Sequence, residues 1–129
     1  MIEYKLIGKN VPSSKNSKRI TKSGKIIPSK LTVDYIDWAL PQLETYRDFF
    51  VDERIKNNEE PVKIGFYLYR QSKHRYDFIN AVQVLADLFV RAKYIEDDDT
   101  KHFIPVFLGE EYVGNEQNAG VSFKILKTI

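Results

Sequence analysis

An α+β fold, a small mixed β-sheet with two main helices packed on it, follows from two periodicities in these 129 residues. Ile2 to Ile7 and Val62 to Tyr69 alternate apolar and polar side chains, the period-2 pattern of half-buried strands. Leu31 to Phe50, and Phe78 to about Lys93, repeat apolar residues at three- and four-residue steps, as helices do. A chain of this length fits one domain, residues 1–129, with enough material to bury a sizeable core.

Taken in order, Ile2-Glu3-Tyr4-Lys5-Leu6 is the first strand. Lys9 to Lys30 follows with seven bases, no acid and two prolines, and reads as a basic loop that has room for a short pairing at Ile26-Ile27. Val33, Ile36, Leu40, Leu43, Tyr46 and Phe50 mark the apolar stripe of the first helix, in which Pro41 is expected to introduce a kink, or a split near Ala39. Arg54 to Glu60 is a polar connection into the strand of Val62, Ile64, Phe66 and Leu68.

The second helix is apolar around most of its circumference and should be mostly buried. Its exception is a stripe of Asn80, Gln83 and Asp87 on one side, where Asp87 and Arg91 have the spacing of a helical ion pair. Strands at His102 to Leu108 and Val121 to Leu126 close the chain, joined by a polar stretch that reads as a long hairpin connection. The expected order is β, basic loop, α, β, α, β, β.

Composition narrows the chemistry. With 43% hydrophobic and 29% charged residues and a mean hydropathy of −0.41, the chain has the profile of a soluble globular protein. It has no cysteine, which removes disulfides and thiolate catalysis and suits a reducing compartment. The N-terminal stretch lacks the apolar centre of a signal peptide and no run reaches membrane-span length, so a cytoplasmic protein with no membrane partner is expected. The net charge of +2 hides an asymmetry: residues 1–30 carry +7 and the remainder −5. Such a division suits one segment facing a polyanion while another holds cations or stays hydrated.

No glycine-rich dinucleotide or P-loop pattern and no nucleophile elbow is present, and His74 and His102 lack metal-ligand spacing. Most aromatic residues fall at strand or helix periodicity, as core residues do, rather than as a base-stacking platform. What remains is acids beside a basic loop. Asp77 stands where the second helix should begin, and Asp97, Asp98 and Asp99 crowd the turn after it. These residues fit an N-cap and a solvated acidic turn. They also fit oxygen ligation of Mg²⁺ for phosphoryl transfer, with nearby Lys and Arg holding phosphates.

The stretch from Arg75 to Asp98 resembles the RusA family of Holliday junction endonucleases. That family's site opens with Asp-x-Asp-Asn, adds a Lys three residues on and an Asp further along the helix, and ends in an Asp-Asp pair. Asp77, Asn80, Asp87 and Asp97-Asp98 fall on this spacing without a gap. Two positions depart: Ile79 replaces the second Asp and Gln83 the Lys. The stretch VPSSKNSKRI, from Val11 to Ile20, and Pro28-Ser29-Lys30 are also similar to the family's segments around the first strand and first helix.

The resemblance implies a homodimeric endonuclease dependent on Mg²⁺, with Mn²⁺ as the alternative ion, that resolves four-way junctions in DNA recombination and repair, often in a prophage setting. It places Asp77, Asp97, Asp98 and Gln83 at the catalytic positions and Asp77, Asp98, Asp97 and Asn80 at the metal. The cations expected on branched DNA are Lys15, Lys18, Arg19, Lys22, Lys25, Lys30, Lys73 and Arg75. The two departures leave a second expectation, a protein that binds branched DNA without cutting it.

Overall fold

A computed structural model describes residues 2–13, 18–57, 60–73 and 78–127, without the side chains of residues 18–20 and 28. Strand β1 (Tyr4–Ile7) is followed by the short strands β2 (Lys18–Ile20) and β3 (Ile26–Pro28). Helix α1 (Lys30–Asn57), strand β4 (Val62–Arg70), helix α2 (Phe78–Arg91) and strands β5 (Phe103–Tyr112) and β6 (Gly120–Leu126) complete the order. The main sheet runs β1-β6-β4-β5, and β2 and β3 form a separate antiparallel pair. The expected α+β fold with a mixed sheet is therefore present: β4 pairs with β5 in parallel and with β6 antiparallel.

Alternation decides which face of the sheet is covered. Tyr4 and Leu6 of β1, Val62, Ile64, Phe66 and Leu68 of β4, and Val121, Phe123 and Ile125 of β6 are buried. They meet one ring cluster shared with both helices. Phe50 of α1 lies 5.5 Å from the Tyr4 ring, while Phe89 of α2 lies 4.8 Å from Phe123 and 5.8 Å from Phe66. Both helices thus cover the same sheet face, and each fully buried ring contributes roughly 1.5–3 kcal/mol through removal from water. The alternate residues of β4 and β6 stand on the other face.

Helix α1 corrects two expectations. The split expected near Ala39 is absent, and the helix runs through Pro41 to Asn57, so Arg54 to Asn57 is helix rather than connection. Pro41 is exposed and leaves the Asp37 carbonyl without its helical donor, and on the next carbonyl, that of Trp38, Gln42 Nε2 donates at 2.8 Å. The buried face is Thr32, Tyr35, Ala39, Leu43 and Phe50, so Val33 and Tyr46 of the expected stripe are exposed. The helix has turned toward Tyr35, whose ring lies 5.7 Å from Trp38.

Strand β5 corrects a third. It runs to Tyr112, beyond Leu108, with a bulge where Phe66 pairs Phe107 and Tyr67 pairs Gly109. Its link to β6 is no hairpin, because β4 lies between them. Lys63, Tyr67 and Tyr69 of β4 are half-buried on the opposite face, which neither helix covers. Among the described residues no helix is long and apolar enough to cross a membrane.

Candidate active site

The acidic turn begins where α2 is stopped by its own backbone. Ala92 N–H donates to Leu88 O at 2.8 Å, Lys93 N–H to Val90 O at 3.1 Å and Tyr94 N–H to Phe89 O at 2.9 Å. Lys93 takes the left-handed conformation with φ of 63°. This is a Schellman ending on a non-glycine residue, and it satisfies carbonyls the helix would otherwise leave open. The chain then dives inward, with Tyr94 and Ile95 buried. The Tyr94 ring stacks on Phe50 at 4.5 Å, its hydroxyl donates to the Leu43 carbonyl, and Arg54 Nη1 donates to the Tyr94 carbonyl at 2.7 Å. The start of the turn is tied to α1 at three points.

Asp99 closes the other end. Its carbonyl accepts the N–H of His102 at 3.1 Å and of Phe103 at 3.0 Å, and its carboxylate accepts the N–H of Lys101 and of His102, each at 3.2 Å. His102 Nδ1 lies 2.7 Å from the same carboxylate, and its Nε2 3.4 Å from Glu96. Those bonds, the one from His102 above all, hold the Asp99 carboxyl below its usual range, and the hydrogen bond to Asp99 raises the His102 imidazole. Asp99 is thus the cap of its own turn.

Between these fixed ends Asp97 and Asp98 are exposed, with the Asp98 N–H donating to Asp97 Oδ1 at 2.8 Å. The Asp98 carboxyl is pushed up by desolvation, then by its hydrogen bond to Asp97 and the charge of Asp97, and also by the charge of Asp87. Asp87 therefore lies within electrostatic reach of the turn. It belongs to the wet side of α2, where Gln83 and Asp87 are exposed, Asn80 is half-buried and Ile79 is 69% exposed. The polar stripe read from the sequence is real, but the Asp87–Arg91 ion pair is absent among the described residues. Asp87 was legible only as a stripe member, because its nearness to Asp98 depends on how the chain returns after α2.

Asp77, His74 and Arg75 lie outside the described residues, as does Lys15. Among the described residues no three His, Asp or Glu side chains converge closely enough to hold a metal ion. The acids available are oxygen donors with mutual repulsion, the chemistry that a hard divalent cation relieves.

The basic segment folds as the β2–β3 hairpin, with Lys18 opposite Pro28 and Arg19 opposite Ile27. The side chains of Lys18 and Arg19 fall outside the described set. At the tip, Thr21 Oγ1 accepts the Lys25 N–H at 3.1 Å, Gly24 takes a φ of 81°, and Lys22 and Lys25 are exposed. Lys30 is exposed at the start of α1, where Ser29 Oγ accepts the Thr32 N–H at 3.3 Å as an N-cap. Lys73 is exposed with its ammonium 5.0 Å from the centre of the Tyr112 ring. No protein-family model matches the chain, and no curated protein matches it.

Proposed function

We propose that the chain is a divalent-metal-dependent, structure-selective endonuclease that cuts four-way DNA junctions as a homodimer, a member of the group that its Arg75 to Asp98 stretch resembles. The observation that supports this reading is the exposed, hydrogen-bonded pair Asp97 and Asp98 in the turn directly after α2, whose exposed stripe carries Asp87. Asp77, Asp97 and Asp98 would hold Mg²⁺ or Mn²⁺, with Asp87 beside them and the Asn80 amide oxygen as a further donor. Such an ion supplies polarisation of the scissile phosphate and a water of lowered pKa.

The chain's own residues do the rest. Gln83 stands one turn from both Asn80 and Asp87, and its amide N–H can donate to a phosphate oxygen without adding charge. Lys22, Lys25 and Lys30 hold the DNA backbone without reading sequence, alongside Lys15, Lys18, Arg19, Lys73 and Arg75. Two copies related by a two-fold axis would present equivalent sites to opposed strands of a junction.

A synthetic four-way junction with Mg²⁺ tests the reading. Cleavage is expected, and Asp98→Asn should lower its rate roughly a hundredfold, since one oxygen donor of a hard-ion site is lost. Equal rates in parent and variant, with circular dichroism showing both folded, would sink the assignment. Ile79 and Gln83 favour a second reading, a junction-binding protein without nuclease activity. Salt-sensitive junction binding with no cleavage in Mg²⁺ or Mn²⁺ would select it.

A further inference from the structure

The sheet face turned away from both helices carries an open cleft of about 410 Å³, and none of its lining residues belongs to α2 or the acidic turn. Tyr67 and Tyr69 form one wall, with ring centroids 5.2 Å apart and planes at 54°. Glu3 and Glu111 add two carboxylates, Ser122 a buried hydroxyl and Lys124 an ammonium. Three features give the cleft its shape. Tyr67 stands directly opposite Ser122, and Tyr69 opposite Gly120, which has no side chain to fill the space beside the ring. Gly109 lets the Tyr67 ring lie against β5, since a Cβ there would come within 2.9 Å of it. Leu108, displaced by the bulge, covers Gly65, where a Cβ would sit 2.6 Å from the leucine.

The volume falls within the range of small-molecule sites, and the lining combines aromatic surface with a few polar groups, as such sites do. Glu3, just before the far strand β1, is already paired with Lys5 at 3.7 Å, so the ligand that fits needs a planar π-face for the tyrosines, adjacent N–H donors for the Glu111 carboxylate, and an anion for Lys124. Glu111 lies beside Tyr67, whose hydroxyl is raised first by desolvation and then by that acid's charge. A carboxylate has about four acceptor positions, so Glu111 keeps capacity for a ligand.

Guanine alone among the common bases offers two adjacent donors on its pairing edge, N1–H and N2–H₂. Adenine and cytosine place an acceptor beside their single amino group, and uracil and thymine flank one N–H with two carbonyls, so each turns a lone pair toward a carboxylate. We infer that the cleft is a guanine nucleotide site: the base stacks against the Tyr67–Tyr69 wall, its donor edge meets the two oxygens of Glu111, and its phosphate faces Lys124 on the side of the cleft toward β1. The inference draws on the proposed function for the class of polymer that could present an unpaired guanine. A free nucleotide offers the same chemistry.

Calorimetric titration of the full chain separates the sources. One arm uses guanosine monophosphate, the other a short thymine oligonucleotide carrying one guanine, and adenosine, cytidine and uridine monophosphates are the comparison ligands. Guanosine monophosphate should bind at least fivefold more tightly than the other three. Tyr69→Ala should weaken it about tenfold, in line with the loss of one stacking partner, and Glu111→Gln should abolish the preference for guanine while leaving residual stacking. Tighter binding of the oligonucleotide than of the mononucleotide assigns the site to single-stranded nucleic acid; equal or weaker binding assigns it to the free nucleotide. No binding in either arm, or equal binding of all bases by parent and Glu111→Gln alike, overturns the inference, with near-UV circular dichroism confirming folded variants. Junction binding without guanosine monophosphate binding overturns this inference alone. Guanosine monophosphate binding without junction binding overturns the proposed function alone.

Discussion

Removing the Tyr94 hydroxyl isolates what ties the acidic turn to the helical layer. In Tyr94→Phe the ring keeps its stacking on Phe50 at 4.5 Å and on Phe89 at 5.3 Å, and only the bond to the Leu43 carbonyl is lost. That carbonyl retains its helical partner, so the cost is one net hydrogen bond plus a partly unsatisfied oxygen, about 1 kcal/mol. Tyr94→Ala also empties a fully buried ring site and should cost about 3–5 kcal/mol, the range for deleting a core aromatic. Urea unfolding read by circular dichroism measures both, with the slope expected to stay unchanged. Leu31→Ala, at a position 61% exposed, is the control and should change stability by no more than about 0.5 kcal/mol. A Tyr94→Phe value indistinguishable from the control would refute the bond to Leu43. A Tyr94→Ala cost below about 2 kcal/mol would refute the claim that this ring anchors the turn.

Gly120→Ala should weaken the pairing of β1 with β6, because the new Cβ would meet the Leu6 carbonyl at 2.0 Å on a backbone with φ of 154°; amide exchange at Lys5 and Ile7 should rise. The His102–Asp99 contact should stabilise the fold in a window of pH. Asp99, held low, contributes above the ordinary carboxylate value and loses its contribution as pH falls through its lowered one; His102, raised, contributes fully below about 6.5 and loses its contribution as pH rises through its raised value. Thermal melts of parent and His102→Asn should therefore differ most near pH 5–6 and converge toward pH 9; a difference that is flat with pH would refute it. Reversing Lys22 and Lys25 together to Glu should lower the salt slope of junction binding by about 2 if both meet phosphates. An unchanged slope would remove the hairpin tip from the DNA surface.

Much of the scaffold was legible because it rests on periodicity. The alternation of Val62 to Leu68 and the wet stripe of Asn80, Gln83 and Asp87 are both local patterns, and both reappear in three dimensions. The split expected near Ala39 does not occur because a helix packed on a sheet along Tyr35, Ala39, Leu43 and Phe50 can tolerate one lost backbone bond, and propensity does not count tertiary contacts. The supposed hairpin after Leu108 failed for another reason: strand order is a long-range property, and nothing local says that β4 enters between β5 and β6. In the site, the acidic run was visible as composition, but the division of labour within it was not. Asp99 spends its oxygens on its own turn while Asp98 stays exposed and feels the charge of Asp87, and that distinction depends on the left-handed Lys93 and the inward path of Tyr94.

Strand β5 lies at the margin of the main sheet, ten residues long and partly apolar on its surface, with Phe107 47% and Leu108 40% exposed. A straight strand of that kind would template pairing with any extended chain it met, the first step toward aggregation. The sequence interrupts the template along its length. Pro105 lacks an N–H, the bulge after Phe107 breaks the register a newcomer would need, and Glu110 and Glu111 set adjacent negative charges near the far end. Replacing the bulge with a regular ladder and the glutamates with threonine would leave the buried residues of the helix-covered face unchanged, yet open this flank to self-association.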